Sequence, residues 1–290
     1  MIYFNKIKVI GILIFLIILY HLDLGKLLKN ITNIELRYFL LLLPLNFILI
    51  LVKTLRWNVI LKGMNINIGL SYSYYIYYIS AYFGVISPSN IGELIRAYYI
   101  NTEKNIPLIK GVISVIIDRF LDLYVFLFLG LFGFWAFDIF DARLISTIMI
   151  LIIFFTTFAF KKELFYNLFS KYLYRPFIEK LNIPISNNFT TRIGMFNMIQ
   201  AISFTLLSTS VLFIQWYIIA KSLAIPISLL FTFAIMSISR LFSFLPISFS
   251  GIGTRDAALI FLFSLLGLDN ELAVAYSLLI FIIIYLFNGF

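Results

Sequence analysis

Long apolar runs with few charges are the feature that most limits how this chain can fold. One run, LRYFLLLLPLNFILILV (Leu36–Val52), is apolar on every side of a helix and has no polar face to turn toward water. Of the 290 residues, 62% are hydrophobic and 12% are charged, whereas soluble domains carry about a quarter charged residues. This composition excludes a water-soluble globule and predicts a protein that resides in a bilayer.

The apolar runs have the length of membrane-spanning helices. A hydrocarbon core about 30 Å thick is crossed by roughly 20 helical residues, whereas a barrel strand shows about ten residues of alternating polarity. We therefore expect an all-α polytopic membrane protein with about seven to nine hydrophobic segments. The segments are expected at residues 7–22, 36–55, 70–86, 109–137, 144–160, 196–220, 227–245, 257–268 and 272–287.

A single membrane domain is expected to occupy residues 1–290. The one long polar interruption, at residues 161–192, is too short for a separate soluble domain.

The orientation in the membrane follows from the rule that cytoplasmic loops carry an excess of Lys and Arg. If the N-terminus is cytoplasmic, most of the 22 Lys and Arg residues lie on the cytoplasmic side. Lys53 and Arg56 are then assigned to a cytoplasmic loop. The predicted location is the cell membrane. The net charge of +9 then suits anionic lipid headgroups and requires no nucleic-acid partner.

A proline and a glycine interrupt the apolar pattern in SPSNIGELIRAYYI (Ser87–Ile100). Pro88 cannot donate a backbone hydrogen bond and Gly92 loosens the chain, so one helix should end before the proline. The next helix should begin at Ser89 or Asn90, either of which can cap it. Irregular backbone at membrane depth is tolerated only where protein or a water-filled cavity surrounds it, so this break indicates a site.

A second interrupted segment, FLPISFSGIGTRDAALIFLF (Phe244–Phe263), repeats this order in the other half of the chain. Its breaking and charged residues are Pro246, Gly251, Gly253, Arg255 and Asp256. Two matching broken segments of opposite orientation are typical of inverted-repeat transporters, whose site lies where the repeats meet. The broken hairpins are either re-entrant or complete spans. The two repeats should cover about residues 36–137 and 196–290.

Charged residues also lie within the apolar segment between the two breaks, in VISVIIDRFLDLYVF (Val112–Phe126). Asp118 and Asp122 are four residues apart and share a helix face, with Arg119 beside them. Because an unpaired charge near the bilayer centre costs several kcal/mol, we expect both carboxylates to point into the bundle and to bind arginines. The candidate partners are Arg96, Arg240 and Arg255.

Four stretches together resemble the flippase-like membrane region of lysylphosphatidylglycerol synthases, a family that also has standalone members. They are Arg56-Trp57 with Leu61, Pro88-Ser89 through Gly92-Glu93 to Arg96-Ala97, Asp118-Arg119 with Asp122, and Pro246 followed by Gly251-x-Gly253-x-Arg255-Asp256-Ala257. The chain departs from the family where Asp118 and Asp256 replace a common Glu and where Phe249-Ser250 replaces a Pro-Gly. The resemblance implies lipid translocation. The soluble aminoacyl-transfer domain of the multidomain relatives is not among these residues, so we expect no enzymatic synthesis.

The predicted function is movement of a lipid between leaflets, the lipid being an anionic or aminoacylated phospholipid or a polyprenyl-phosphate-linked glycolipid. Arg96 and Arg255 are expected to hold the lipid phosphate, because a guanidinium group pairs bidentately with phosphate oxygens. The other expected headgroup-site residues are Glu93, Asp118, Arg119, Asp122 and Asp256.

No catalytic residue, cofactor or metal site is predicted, since the chain has one histidine, His21, and no cysteine. Two alternatives stay open at this point. One is a membrane-embedded glycosyl- or lipid-modifying transferase. The other is a non-transporting partner of a separately encoded transferase.

Overall fold

The computed structural model describes residues 2–32, 34–87, 90–139, 193–245, 248 and 250–286, with a few isolated residues between 141 and 151. The chain divides into two compact units, one of residues 1–137 with 193–290 and one of residues 138–192. The predicted segment at 144–160 lies almost wholly outside the described residues. The polar connector at 161–192 and the breaking residues Pro88 and Pro246 also lie outside them.

Every regular element in the described part of the chain is a helix, which confirms the all-α prediction. In chain order the helices are α1 (Ile2–Tyr20), α2 (Leu24–Thr32), α3 (Leu36–Gly63), α4 (Leu70–Val85), a 3₁₀ turn (Ile91–Leu94), α5 (Ile95–Lys104), α6 (Leu108–Ala136), α7 (Met195–Ser222), α8 (Leu229–Ser243), α9 (Thr254–Leu265) and α10 (Asn270–Ile280), which continues as a π-helix (Phe281–Leu286).

Two of the described helices, Leu40–Gly63 and Met195–Ser222, are long and apolar enough to cross a membrane. The pair Ile10–Tyr20 and Leu24–Thr32, which meets at 98°, makes a third if it counts as one bent span. These assignments rest on length and composition. The fold is that of an all-α membrane protein.

Helix α3 continues eight residues past its expected end at Leu55, to Gly63. Its last turns pack with Trp57, Ile60 and Leu61 fully buried in the main apolar core. The assignment of Lys53 and Arg56 to a cytoplasmic loop was therefore wrong. Both residues belong to this helix, which continues through them because their charges are compensated inside the protein.

The two halves of the chain repeat one packing order. Helix α3 packs against α4 and α6, and α7 packs against α8 and α10 in the same way. Helices α3 and α7 pack against each other, and α6 packs against α8, so the halves interlock. The opposite membrane orientation of the repeats, and their boundaries, stay predictions.

The first break lies at the predicted position, but a different residue from the predicted one caps the turn that follows it. Helix α4 ends at Val85, and a 3₁₀ turn precedes α5. The Ser87 hydroxyl accepts a hydrogen bond from the Gly92 backbone N–H at 2.7 Å. Asn90 has φ of 56° and gives no side-chain cap, so the expectation that it caps a helix was wrong, while Ser89 lies outside the described residues. A side chain at Gly92 would overlap the carbonyl group of Phe83, which explains the glycine.

The second break also has the predicted position, between the end of α8 at Ser243 and the start of α9 at Thr254. Gly251 and Gly253 have φ of +88° and +86°, values that an L side chain rarely adopts. The Gly253 N–H donates to the Asp256 carboxylate at 2.7 Å, which caps α9. At this point α1 packs so closely on the break that a Cβ on Gly253 would overlap the carbonyl oxygen of Gly11.

Gly253→Ala is expected to lower the thermal unfolding midpoint of the detergent-solubilised protein strongly. The substitution adds backbone strain of about 1–2 kcal/mol and forces α1 away from the second break. Gly267→Ala is the matched control, because Gly267 has φ of +68° but faces open space within 4 Å. A loss at Gly253 no larger than the loss at Gly267 would contradict the close contact with α1.

Candidate functional site

Asp118 and Asp122 lie on one buried face of α6, as their four-residue spacing predicts. Both bind the guanidinium group of Arg56 from α3. The Arg56 Nε–Asp118 Oδ1 distance is 2.7 Å and the Arg56 Nη2–Asp122 Oδ2 distance is 3.2 Å, and Arg56 Nη1 also contacts Asp122. Arg56 is fully buried, so its single positive charge compensates two carboxylates away from water.

Arg96, on α5, joins the first break to Asp118. Its Nη2 lies 2.9 Å from Glu93 Oε2 and 3.0 Å from Asp118 Oδ2. Its guanidinium carbon lies 4.3 Å from the ring centre of Tyr77 and 5.0 Å from that of Trp57. The candidate pairing of Arg96 with Asp118 is confirmed, whereas Asp122 binds Arg56. The residue is fully buried and its guanidinium is held by internal partners.

Arg119, on α6, is a further member of this ion-pair network and is partly exposed. It forms an ion pair with Glu93, and its side chain is 21% exposed. Glu93 therefore binds two guanidinium groups, those of Arg96 and Arg119. The Nε of Arg119 is buried and has no hydrogen-bond partner within the described structure.

Arg255 and Asp256 form a separate cluster at the second break. Arg255 Nε donates to the Ser277 hydroxyl at 2.8 Å, and its Nη2 donates to the Ser277 carbonyl at 3.1 Å. Asp256 accepts a hydrogen bond from the same hydroxyl and lies 3.7 Å from Arg255 Nη2. These contacts join α9 to α10. The expectation that Arg255 pairs with Asp118 or Asp122 was therefore wrong.

A cavity of about 70 Å³ lies where the two halves of the chain meet. Apolar walls come from α3, α4, α7 and the π-helix. The polar lining residues are Lys53, Tyr77, Asn90, Glu93, Arg119, Arg240 and Tyr285. Of the predicted headgroup residues, Glu93 and Arg119 reach this cavity, whereas Arg96, Arg255, Asp118, Asp122 and Asp256 do not line it.

Arg240, on α8, is the cation of this cavity that lacks a counter-charge. It is 6% exposed and donates to the Tyr285 hydroxyl, and its Nε has no hydrogen-bond partner in the described structure. No described carboxylate lies within 4.0 Å of its guanidinium. Its expected pairing with Asp118 or Asp122 was therefore wrong. Aromatic rings surround it instead, with ring centres 5.2 Å away in Phe126 and 5.7 Å away in Phe244.

The two breaks touch next to the cavity. The Ser250 hydroxyl lies 3.1 Å from the carbonyl oxygen of Val85, at the end of α4. It also lies 3.4 Å from Asn90 Oδ1 at the first break. Since Val85 and Asn90 both line the cavity, this contact joins one wall of the cavity to the second half of the chain.

Sequence reasoning missed the central position of Arg56 and the cavity cations Lys53 and Arg240. A signal existed for each of them. Lys53 and Arg56 follow directly on an apolar run with no turn residue between, which favours one continuous helix. Arg240 stands alone in the apolar helix LLFTFAIMSISRLFS, where a charge needs a partner as much as Asp118 does.

Arg56→Gln is expected to lower the thermal unfolding midpoint strongly, because Asp118 and Asp122 then lose the charge that they share. Breaking a buried pair costs about 3–5 kcal/mol. Arg37→Gln is the matched control, since the Arg37 side chain is 70% exposed and its pair with Glu35 is worth about 0–1 kcal/mol. Adding Asp122→Asn to Arg56→Gln should restore part of the loss. Equal midpoints for Arg56→Gln and Arg37→Gln would contradict the network.

Comparison with known proteins gives one family across nearly the whole chain. The family model for the lysylphosphatidylglycerol synthase TM region matches residues 6–289. The UPF0104 membrane protein MJ1595 of Methanocaldococcus jannaschii is 23% identical over 93% of this chain and 87% of its own length. The UPF0104 membrane protein PH1989 of Pyrococcus horikoshii is 26% identical over 93% of this chain and 90% of its own.

A UPF0104 membrane protein of Methanothermobacter thermautotrophicus is 22% identical over 82% of this chain and 78% of its own length. The family match, at residues 6–289, extends across both broken segments. The family match also includes the network around Arg56 and the cavity around Arg240. The chain is an integral membrane protein and belongs to the lysylphosphatidylglycerol synthase TM region family.

Proposed function

We propose that the chain moves a phosphate-bearing lipid between membrane leaflets, with the headgroup passing through the cavity between the two halves. The buried, uncompensated guanidinium of Arg240 is the observation that carries this proposal. Burying a charge without a counter-charge is strongly unfavourable, so a fold that retains one has a use for it. An arriving anion would supply the missing charge.

The other arginines of the protein interior differ from Arg240 in this respect. Arg56 and Arg96 bind the carboxylates of α6, and Arg255 binds Ser277 and lies near Asp256. These three join helices to one another. We therefore move the proposed phosphate site from Arg96 and Arg255 to Arg240, with Lys53 and Arg119 on the neighbouring walls.

Translocation also requires that the cavity open to each leaflet in turn. The contact of Ser250 with Val85 and Asn90 is a small polar junction between the halves beside the cavity. Rocking of one repeat against the other would break this junction and would also have to change the packing of α3 on α7 and of α6 on α8. No covalent step is needed, so we propose that the protein is not an enzyme. We place it in the cell membrane with a cytoplasmic N-terminus.

Arg240→Gln is expected to slow lipid movement strongly without destabilising the protein. The substitution removes the uncompensated charge, so the thermal unfolding midpoint should stay the same or rise. Translocation should fall by about tenfold or more, because one charge-assisted contact is worth about 1.5–3 kcal/mol.

The measurement is leaflet-resolved movement of labelled phosphatidylglycerol, lysyl-phosphatidylglycerol and a polyprenyl-phosphate sugar in proteoliposomes. Arg37→Gln, on the exposed surface, is the control for charge loss and should move lipid at the native rate. Movement of every lipid at the rate of empty vesicles, with folded native protein, would overturn the proposal and favour a transferase or its non-transporting partner. Native-rate movement by Arg240→Gln would overturn the assignment of the site.

A further inference from the structure

We infer that the cavity takes an anionic phosphate headgroup and rejects headgroups that carry an ammonium group. The inference rests on the proposed function in taking the ligand to be a lipid, and it narrows the lipid class. Three lining residues are basic, namely Lys53, Arg119 and Arg240, against one acidic lining residue, Glu93. Lys53 lies 3.8 Å from Asp122 and Arg119 pairs with Glu93, so the uncompensated positive charge of the lining is that of Arg240.

The carboxylate of Glu93 already binds two guanidinium groups through its Oε2, which lies 2.9 Å from Arg96 Nη2 and also contacts Arg119. An ammonium group entering the cavity would compete with these guanidinium groups for Glu93. It would also be repelled by Arg240, which no described carboxylate neutralises. Repulsion of this kind gives specificity against the wrong ligand.

Two of the residues that line the cavity have donors without partners. The Nε atoms of Arg119 and Arg240 are buried and lack hydrogen-bond partners in the described part of the chain. Both residues line the same cavity from different halves of the protein, on α6 and α8. A phosphate group has several acceptor oxygens and can satisfy donors from two directions at once. The two arginines would then bind the phosphate from opposite repeats.

A lysyl ester on a glycerol headgroup adds a six-carbon chain with two ammonium groups. Such a headgroup brings positive charge to a lining in which the charge of Arg240 is already uncompensated. The ligand class is therefore a lipid phosphate without an amine.

Binding of short-chain lipids to the native full-length protein in nanodiscs of phosphatidylcholine tests this inference by calorimetry. The probes are dioctanoyl forms of phosphatidic acid, phosphatidylglycerol, phosphatidylethanolamine and lysyl-phosphatidylglycerol, with inorganic phosphate as the lipid-free probe. The two anionic lipids should bind about tenfold or more tightly than either amine-bearing lipid. Arg240→Gln should remove most of that difference, Arg240→Lys should keep part of it, and Arg37→Gln should leave it unchanged.

Lysyl-phosphatidylglycerol binding as tightly as phosphatidylglycerol would overturn the inference, even if the proteoliposome assay shows translocation. Inorganic phosphate binding as tightly as phosphatidic acid would also overturn it, because the ligand would then be free phosphate. The expected order of binding without any lipid movement would leave the anion site standing and would overturn translocation alone. The two failures are therefore distinguishable.

Discussion

The shared ion pair of Arg56 with Asp118 and Asp122 is the interaction on which the rest of the structure depends. Two carboxylates on one face of α6 cannot stay charged in an apolar interior without a cation between them, and α3 supplies it. Arg96 then joins Asp118 to Glu93, so the same network fixes the first break. Because charged partners must remain together once desolvated, this network sets the positions of α3, α5 and α6 around the cavity.

The interior arginines divide into two kinds by the partners that surround them. Arg56, Arg96 and Arg255 each have a carboxylate within 4.0 Å of the guanidinium group. Arg240 has aromatic faces and one tyrosine hydroxyl around it, a setting that lowers the cost of burial without neutralising the charge. We propose that this distinction separates residues that hold the fold from a residue that binds a ligand.

Much of the architecture could be predicted from the sequence because bilayer physics is strict. The apolar runs, the two breaks and the shared face of Asp118 and Asp122 follow from burial cost and helical periodicity. The arginine partner of Asp118 could not be predicted, because several arginines were candidates. The packing of α3 against α6 is what brings Arg56 to Asp118. The same limit applies to the predicted phosphate site at Arg96 and Arg255, because the partners that surround these two arginines depend on tertiary packing.

The cap of the first break shows a second limit. Asn90 and Ser89 are both good capping residues, but the chain turns through a left-handed Asn90 and uses the Ser87 hydroxyl instead. Capping preferences name residue types, and the local turn decides which residue is in position. The close approach of α1 to Gly253 is likewise a tertiary contact that no local pattern contains.

The proposed phosphate site at Arg240 can be tested by an experimental structure of the protein in nanodiscs containing phosphatidic acid. We expect phosphate density inside the cavity, with an oxygen about 2.7–2.9 Å from a guanidinium nitrogen of Arg240. That density should be absent from the Arg240→Gln variant prepared in the same lipid. A cavity that holds only water in the native protein, with lipid phosphate bound at Arg96 or Arg255 instead, would contradict the proposed site.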